Sequence, residues 1–325
     1  MSSVLKVWNS SDSTVREGSF LKRFCIPFLV EMQNADGGWG YQRGTRSAVE
    51  PTAWALLALK SQNVSEAALD GGMRWLHRAQ LPEGSWPAFA GQGHGCWVTA
   101  PACLALSLCG DSSECVAQGL RWLCDSWPAE GGIWWQLRRL VSPSSVVRQD
   151  FSLRGWSWTP GTASWVEPTA HALFALRSVP EQILPYGASR RCLLGERMLC
   201  DRMCQKGGWN SGNPMVYGVE GEPRVAPTAW ALLALHGRCD HKHIRKSLDW
   251  LELAYPHVRG PASLALGHLT LEAYGRPAPP LEPGLWDLWR NNQFFDSVLA
   301  TAWAVIALSP GRDWLRIVAG KRVSG

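Results

Sequence analysis

Apolar residues return along the chain in two kinds of run. One kind is apolar on every side: Pro51-Thr52-Ala53-Trp54-Ala55-Leu56-Leu57-Ala58-Leu59. It recurs almost unchanged from Pro227 to Leu235, and again from Pro168 to Leu176 with His171 in place of the Trp. Weaker copies run from Val98 to Leu106, Pro261 to Leu269 and Ala300 to Leu308. A run without a polar face predicts a helix buried all round. The leading Pro fits the first helical turn, where its missing N–H is not needed. The other kind alternates charged and apolar residues at helical spacing, as in Ser247-Leu248-Asp249-Trp250-Leu251-Glu252-Leu253, and predicts an amphipathic outer helix. No segment sustains a two-residue alternation bounded by turn residues, so almost no strand is expected.

A second phrase precedes the first. Phe28-Leu29 is followed by Gln33 and Gly37-Gly38-Trp39, and Trp75-Leu76 by Gln80 and Gly84-Ser85-Trp86. Trp122-Leu123 leads to Gly131-Gly132-Ile133-Trp134, with Trp127 where Gln would stand, and Gln205 leads to Gly207-Gly208-Trp209. A fifth copy keeps Trp250-Leu251 without the glycine loop, and a sixth is eroded around Trp286 to Gln293. Each unit reads helix, Gly-Trp loop, helix. Aligned on the Thr, the copies fall at Thr52, Thr99, Thr169, Thr228, Ala262 and Thr301, at intervals of 47, 70, 59, 34 and 39 residues. This spacing predicts a repeat architecture with insertions in some loops. Neither end carries an obvious polar cap, so a closed ring is expected rather than an open solenoid. Residues 1–18 read as a polar lead-in, 19–316 as one all-α domain and 317–325 as a tail.

Composition narrows the function. The chain has 325 residues, enough for one large domain, and a net charge of +5, too mild and dispersed for nucleic-acid binding. No stretch is long and apolar enough to span a membrane, and the first residues do not form a signal peptide. The 10 Cys have no paired spacing and read as reduced, buried residues of a cytoplasmic protein. The 20 Trp against 5 Tyr and 8 Phe follow from the repeats.

On these residues the chain resembles the terpene cyclase and prenyltransferase superfamily. The phrases Gln33 to Trp39 and Gln80 to Trp86 match the QW motif of squalene-hopene and oxidosqualene cyclases, and the resemblance covers roughly residues 20–315. It implies an α/α toroid, an α6/α6 barrel of about six helix hairpins, with an axial cavity and an isoprenoid or lipid-like substrate. Triterpene cyclases have two such domains; this chain has room for one, like a prenyltransferase β subunit.

Cyclases that start by protonation carry Asp-x-Asp-Asp-Thr-Ala at an inner helix, the middle Asp giving the proton. Aligned on Thr-Ala, Glu50 and Glu167 fall on that donor position, without the neighbouring carboxylates. An acidic residue there also complements a helix N-terminus. His171 lies four residues after Glu167, on the same helix face, where the two could form a hydrogen-bonded acid–base pair. The loop from Ile133 to Val166 is the longest and carries Trp134, Trp135, Trp156, Trp158 and Trp165, a candidate lid or a rim packed on the ring.

Trp54, Trp230 and Trp303 recur on inner helices and could line the cavity and stabilise a carbocation by their ring faces. Trp39, Trp86 and Trp209 read as joints between repeats. Trp97, Trp135, Trp158 and Trp165 break the repeat and are therefore the more informative, and Trp97, Trp158 and Trp165 are candidate substrate contacts. Cys239, His241 and His243 form the one dense ligand cluster and lack a fourth ligand at usable spacing. The Phe295-Asp296 to Thr301-Ala302 segment resembles a zinc-binding helix start of the prenyltransferases without its His. The Asp-Asp-x-x-Asp motif is absent, and no metal or other cofactor is expected. Gly93-His94-Gly95-Cys96-Trp97 places a Cys near a His.

Three readings follow. One is a terpene-cyclase-like enzyme with Glu50 or Glu167 as donor, His171 as partner and Trp54, Trp97, Trp158, Trp165, Trp230 and Trp303 around the substrate. The others are a non-catalytic lipid-binding or scaffold toroid, and a prenyltransferase β-like subunit needing a partner subunit. Peripheral membrane contact stays open.

Overall fold

The computed structural model describes residues 20–130, 149–238 and 241–309. The expected lead-in and tail therefore lie outside the described residues, as do Trp134, Trp135, Cys239 and the side chains of His241 and His243.

Six inner helices carry the all-apolar runs: α2 (Val49–Ser61), α4 (Thr99–Leu108), α6 (Val166–Arg177), α8 (Val225–Leu235), α10 (Pro261–Ala273) and α12 (Val298–Leu308). Each packs on the next, and α12 packs on α2, which closes the ring. The outer helices are α1 (Ile26–Glu31), entered through a π-helical turn at Leu21–Cys25, α3 (Glu66–Ala79), α5 (Glu114–Asp125), α7 (Ala188–Asp201), α9 (His241–Ala254) and α11 (Leu281–Asn292). From α3 to α11 each covers the inner helix before it, while the π-turn and α1 cover α12. The expected α/α toroid is the observed fold. The hairpin of Met215–Val216 and Val219–Glu220 is the one sheet among the described residues. None of their helices is long and apolar enough to cross a membrane.

One joint repeats four times. The Trp39 backbone N–H donates to Thr52 Oγ1 at 2.9 Å, and its indole N–H donates to the Leu29 carbonyl at 2.7 Å. Trp86 does the same with Thr99 and Leu76, and Trp209 with Thr228 and Leu199. These Thr and Trp residues are buried, so an unmade bond would leave a desolvated polar group. The indole also reaches the outer helix of the next repeat. A Cβ at Gly72 would come within 2.8 Å of Trp39, one at Gly119 within 2.7 Å of Trp86, and one at Gly195 within 2.8 Å of Trp156.

Gly131 to Trp134, where the sequence placed the third copy, lie outside the described residues. Among the described residues the third joint is Gly155-Trp156, whose backbone N–H donates to Thr169 and whose indole donates to the Leu123 carbonyl. An insertion separates Leu123 from its Trp, and only the hydrogen bonds identify the pair. The glutamine position changes too. Gln33 and Gln80, four residues after Leu29 and Leu76, each donate to a loop glycine carbonyl and to a carbonyl of the next outer helix. In the third repeat Trp127 stands there, and the donors come from the other side. Arg191 of α7, 3% exposed, lies between the rings of Trp127 and Trp156 at 4.0 and 3.9 Å and donates to the carbonyls of Ser126, Arg154 and Gly155. In the fourth repeat the position is Met203, not Gln205. Ser247 Oγ donates to its sulfur and accepts from the Gly208 N–H.

Aromatic rings seal the ring where first and last repeats meet. Phe20 packs edge-on against Trp286, Trp289 and Phe294 at 5.6, 5.8 and 6.3 Å, and Phe28 against Trp289 at 5.7 Å. The Phe20 N–H donates to Glu282. Closure buries both terminal repeats, which explains why neither needs a polar cap.

The joint predicts a local penalty for bulk. Gly119→Ala should lower stability by about 1–3 kcal/mol in thermal or urea unfolding. Gly93→Ala, where a Cβ meets nothing within 4 Å, should stay within about 0.5 kcal/mol of the parent.

Candidate active site

The joint fixes the rotation of α2, α4, α6 and α8 and so decides which of their side chains face the axis; Ala262 and Thr301 stand at the Thr position of α10 and α12. Residues four apart share one helix face. Two positions after the repeat Thr stand Trp54, Pro101, His171, Trp230, Leu264 and Trp303; two positions before it stand Glu50, Trp97, Glu167, Ala226, Gly260 and Leu299. The first set is buried and the second is open to solvent in part or in full. The described helices thus carry a buried axial layer, the floor, and one helical turn above it a less buried layer, the rim, that holds the two acids.

The floor is aromatic. Trp54 and Trp303 lie 4.4 Å apart between ring centroids, Trp230 and Trp303 5.0 Å, and Trp54 and Trp230 5.7 Å. Helices α2 and α8 are not neighbours in the ring, so the last pair spans the axis. His171 sets its ring edge-on to Trp230 at 4.3 Å and lies 5.4 Å from Trp54. Trp97 stacks on it from the rim at 5.5 Å.

This placement corrects one expectation. The hydrogen-bonded pair of Glu167 and His171 does not form, because neither ring nitrogen of His171 has a hydrogen-bond partner. The imidazole stands at the position that indoles take in three other repeats, at Trp54, Trp230 and Trp303. Burial pushes its pKa down to about 3, so the ring is neutral at physiological pH.

The rim holds the titratable groups. Glu50 and Glu167 sit in the first turns of α2 and α6, on either side of α4, which carries Trp97 just ahead of its start. Burial pushes the Glu50 carboxyl up to about 7, against the pull of a 2.8 Å hydrogen bond from the Tyr41 hydroxyl to its Oε2. Burial, and then the Glu50 charge, push Glu167 up to about 7 as well. Glu167 has no hydrogen bond or ion pair among the described residues. Two carboxyls therefore keep protons at pH values where exposed ones have lost them.

Aromatic side chains flank the acids. Trp97 meets Trp158 edge-on at 4.7 Å, and its backbone N–H donates to the Trp158 carbonyl. Trp165 caps the entry to α6, pairs with Trp156 through the backbone and lays its ring on Gly212, away from the floor. On α8, α10 and α12 the same position carries Ala226, Gly260 and Leu299, none of them titratable. Cys96 sits near Glu50, and burial pushes its thiol up, so it is no activated nucleophile. Among the described residues no group of three His, Cys, Asp or Glu could hold a metal.

Sequence reasoning missed Tyr41. A signal was present: Tyr41 stands nine residues before Glu50, as Trp158 stands nine before Glu167.

No protein-family model matches the chain. Over 71 residues it is 39% identical to lanosterol synthase of Mus musculus, covering 18% of this chain and 10% of that one. Over another 71-residue alignment it is 37% identical to drimenyl diphosphate synthase of Streptantibioticus cattleyicolor, covering 22% and 13%. The chain thus matches only 10–13% of the length of these curated relatives. The type II terpene cyclase MstE from Scytonema superposes with a TM-score of 0.56 over 89% of this chain and 97% of its own, at 16% identity. An α-amylase from Clostridium perfringens reaches 0.58 over 91% and 98%, at 9% identity. At such identities the solved structures share the fold alone, and a fold does not carry an activity. The local matches to terpene synthases, together with the shared toroid, make this chain terpene cyclase-like.

The two carboxyls predict a pH dependence. Their folded values lie above the ordinary 4.5, so their contribution to stability is full below 4.5 and is lost as pH rises through about 7. His171, lowered from 6.5 to about 3, acts in the opposite sense as pH falls below 6.5, equally in parent and variant. The melting temperature of the parent should therefore fall between pH 5.5 and 8 by more than that of the Glu50→Gln, Glu167→Gln double variant. Differential scanning calorimetry checks this.

Proposed function

We propose that the chain is an isoprenoid cyclase started by a proton, with the space above the floor, a cup bounded by the rim, as its reaction chamber. The observation that carries this reading is the placement of two carboxyls, Glu50 and Glu167, on the axial face one helical turn above an aromatic floor. The MstE structures, which hold geranylgeranyl dihydroxybenzoate as substrate and merosterolic acid A as product, support an isoprenoid as the substrate class.

The reaction breaks one carboxyl O–H bond and forms a bond from that proton to the substrate. The cation so formed is attacked by a neighbouring double bond and closes a ring. A proton is lost at the end, so the sum is an isomerisation. Aromatic faces at Trp97, Trp158 and the floor stabilise the passing cation by about 1–2 kcal/mol each when water is excluded. A carboxyl that titrates near 7 keeps its proton on about half the molecules at neutral pH but is a weak acid, and a plain alkene is a very poor base. The arrangement therefore suits a substrate whose first proton acceptor is an oxygen, such as an epoxide, better than a bare hydrocarbon.

The four packed rings of the floor favour a second reading. They close the axis at the level of Trp54, and a shallow cup of this kind also suits a non-catalytic lipid-binding toroid.

Incubation with squalene, epoxysqualene and prenyl diphosphates, followed by GC–MS, separates the two readings. Cyclic product is expected, with epoxysqualene turned over faster than squalene. Glu50→Gln should lower the rate about 100-fold or more, the range for removing a positioned general acid. Product unchanged in both Glu50→Gln and Glu167→Gln would overturn the donor assignment. A bound isoprenoid recovered unchanged from folded protein would establish the binding reading.

A further inference from the structure

We propose that Tyr41 is a positioning residue that sets the two rim carboxyls apart: its phenol holds the Glu50 carboxylate after the proton has left, so that Glu50 is the donor and Glu167 the carboxyl that stays protonated. This rests on the reading of the cup as an acid site.

The repeat supplies the comparison. Tyr41 and Trp158 stand at the same place, two residues after the joint residues Trp39 and Trp156 and nine before Glu50 and Glu167. Tyr41 brings a hydroxyl 2.8 Å from Glu50 Oε2. At the same place Trp158 turns its ring onto Trp97, and Glu167 receives no hydrogen bond among the described residues. The second repeat has Ala88 there and Trp97 at the carboxyl position. The two acids thus share a register and differ in one donor.

Tyr41 is held from several sides. Its carbonyl accepts from the Val298 N–H at 3.0 Å, at the start of α12. The next residue, Gln42, donates through its side chain to the Phe295 carbonyl at 3.2 Å. Its ring meets Phe89 edge-on at 6.2 Å. The Phe295 segment is strained: Gln293, Phe294, Phe295 and Asp296 all have φ between 48 and 55°, a left-handed run that costs energy at each non-glycine residue. A phenol anchored this way needs little reorganisation when the Glu50 charge appears, which is what stabilises a developing anion.

The titratable groups around Glu50 are Tyr41, Cys96 and Glu167. All three are neutral when protonated and none supplies a positive charge. Burial and the Glu50 charge push the Tyr41 phenol far above its ordinary range, so it remains a donor throughout.

Titration of the glutamate carboxyls, followed by 13C NMR on the full chain with Glu50→Gln and Glu167→Gln for assignment, tests this without substrate. Tyr41→Phe should raise the Glu50 midpoint by about one pH unit, a tenfold weaker acid, because a hydrogen bond to a charged group is lost. Glu167 should move by much less. Should Tyr41→Phe fail to fold, 3,5-difluorotyrosine placed at position 41 keeps the shape, strengthens the donor and should lower the Glu50 midpoint. A Glu50 midpoint unmoved by either change, or both carboxyls shifting equally, would overturn the proposal. The readout does not depend on turnover, so it fails separately from the cyclase reading.

Discussion

A single pair of hydrogen bonds, from one tryptophan to a threonine hydroxyl and to a leucine carbonyl, organises this toroid. The backbone N–H bond to the threonine fixes the rotation of an inner helix. The indole bond to the leucine fixes the preceding outer helix against it. At three of the four joints the indole body lies against a glycine of the next outer helix, Gly72, Gly119 or Gly195, while α9, after the fourth joint, has no glycine. One residue thus sets the register within a repeat and the contact between repeats. Because the rotation is fixed, the residues two before and two after the threonine must face the axis. The acidic rim and aromatic floor follow from this constraint.

The joint tolerates changes of chemistry as long as its donors are replaced. Arg191 takes over where a glutamine has become Trp127, held between two indoles that suit a flat cation. Ser247 and Met203 take over in the fourth repeat. The two later repeats lose the glycine loop altogether, and the phenylalanines of the first repeat and tryptophans of the last seal the ring by ring packing instead. A chain that keeps its inner helices in register by such different means is free to vary the axial positions, and does so: Trp, Pro, His, Trp, Leu and Trp occupy the floor.

Much of this was legible in the sequence. The all-apolar runs announced buried helices because no face of an inner helix meets water. The repeated Thr gave the register that singles out Glu50 and Glu167. The joint at Trp156 was not legible, because it stands 33 positions after Leu123, the residue whose carbonyl its indole bonds, where the pair stands 10 positions apart in the other joints. The pairing of Glu167 with His171 failed because helical spacing places two residues on one face without saying which way a ring turns, and the packing of the floor decided that. Tyr41 escaped notice because its link to Glu50 depends on the path of the loop after Trp39.

The claim on which the account rests is that the acids and the floor enclose the place where a cationic isoprenoid sits. The most direct measurement is a crystal structure with a prenyl amine, an isoprenoid chain ending in an ammonium that mimics the cation. The amine head is expected between Glu50 and Glu167, with its chain over Trp97 toward Ala226, Gly260 and Leu299. An empty rim, with the amine bound elsewhere on the toroid, would contradict it.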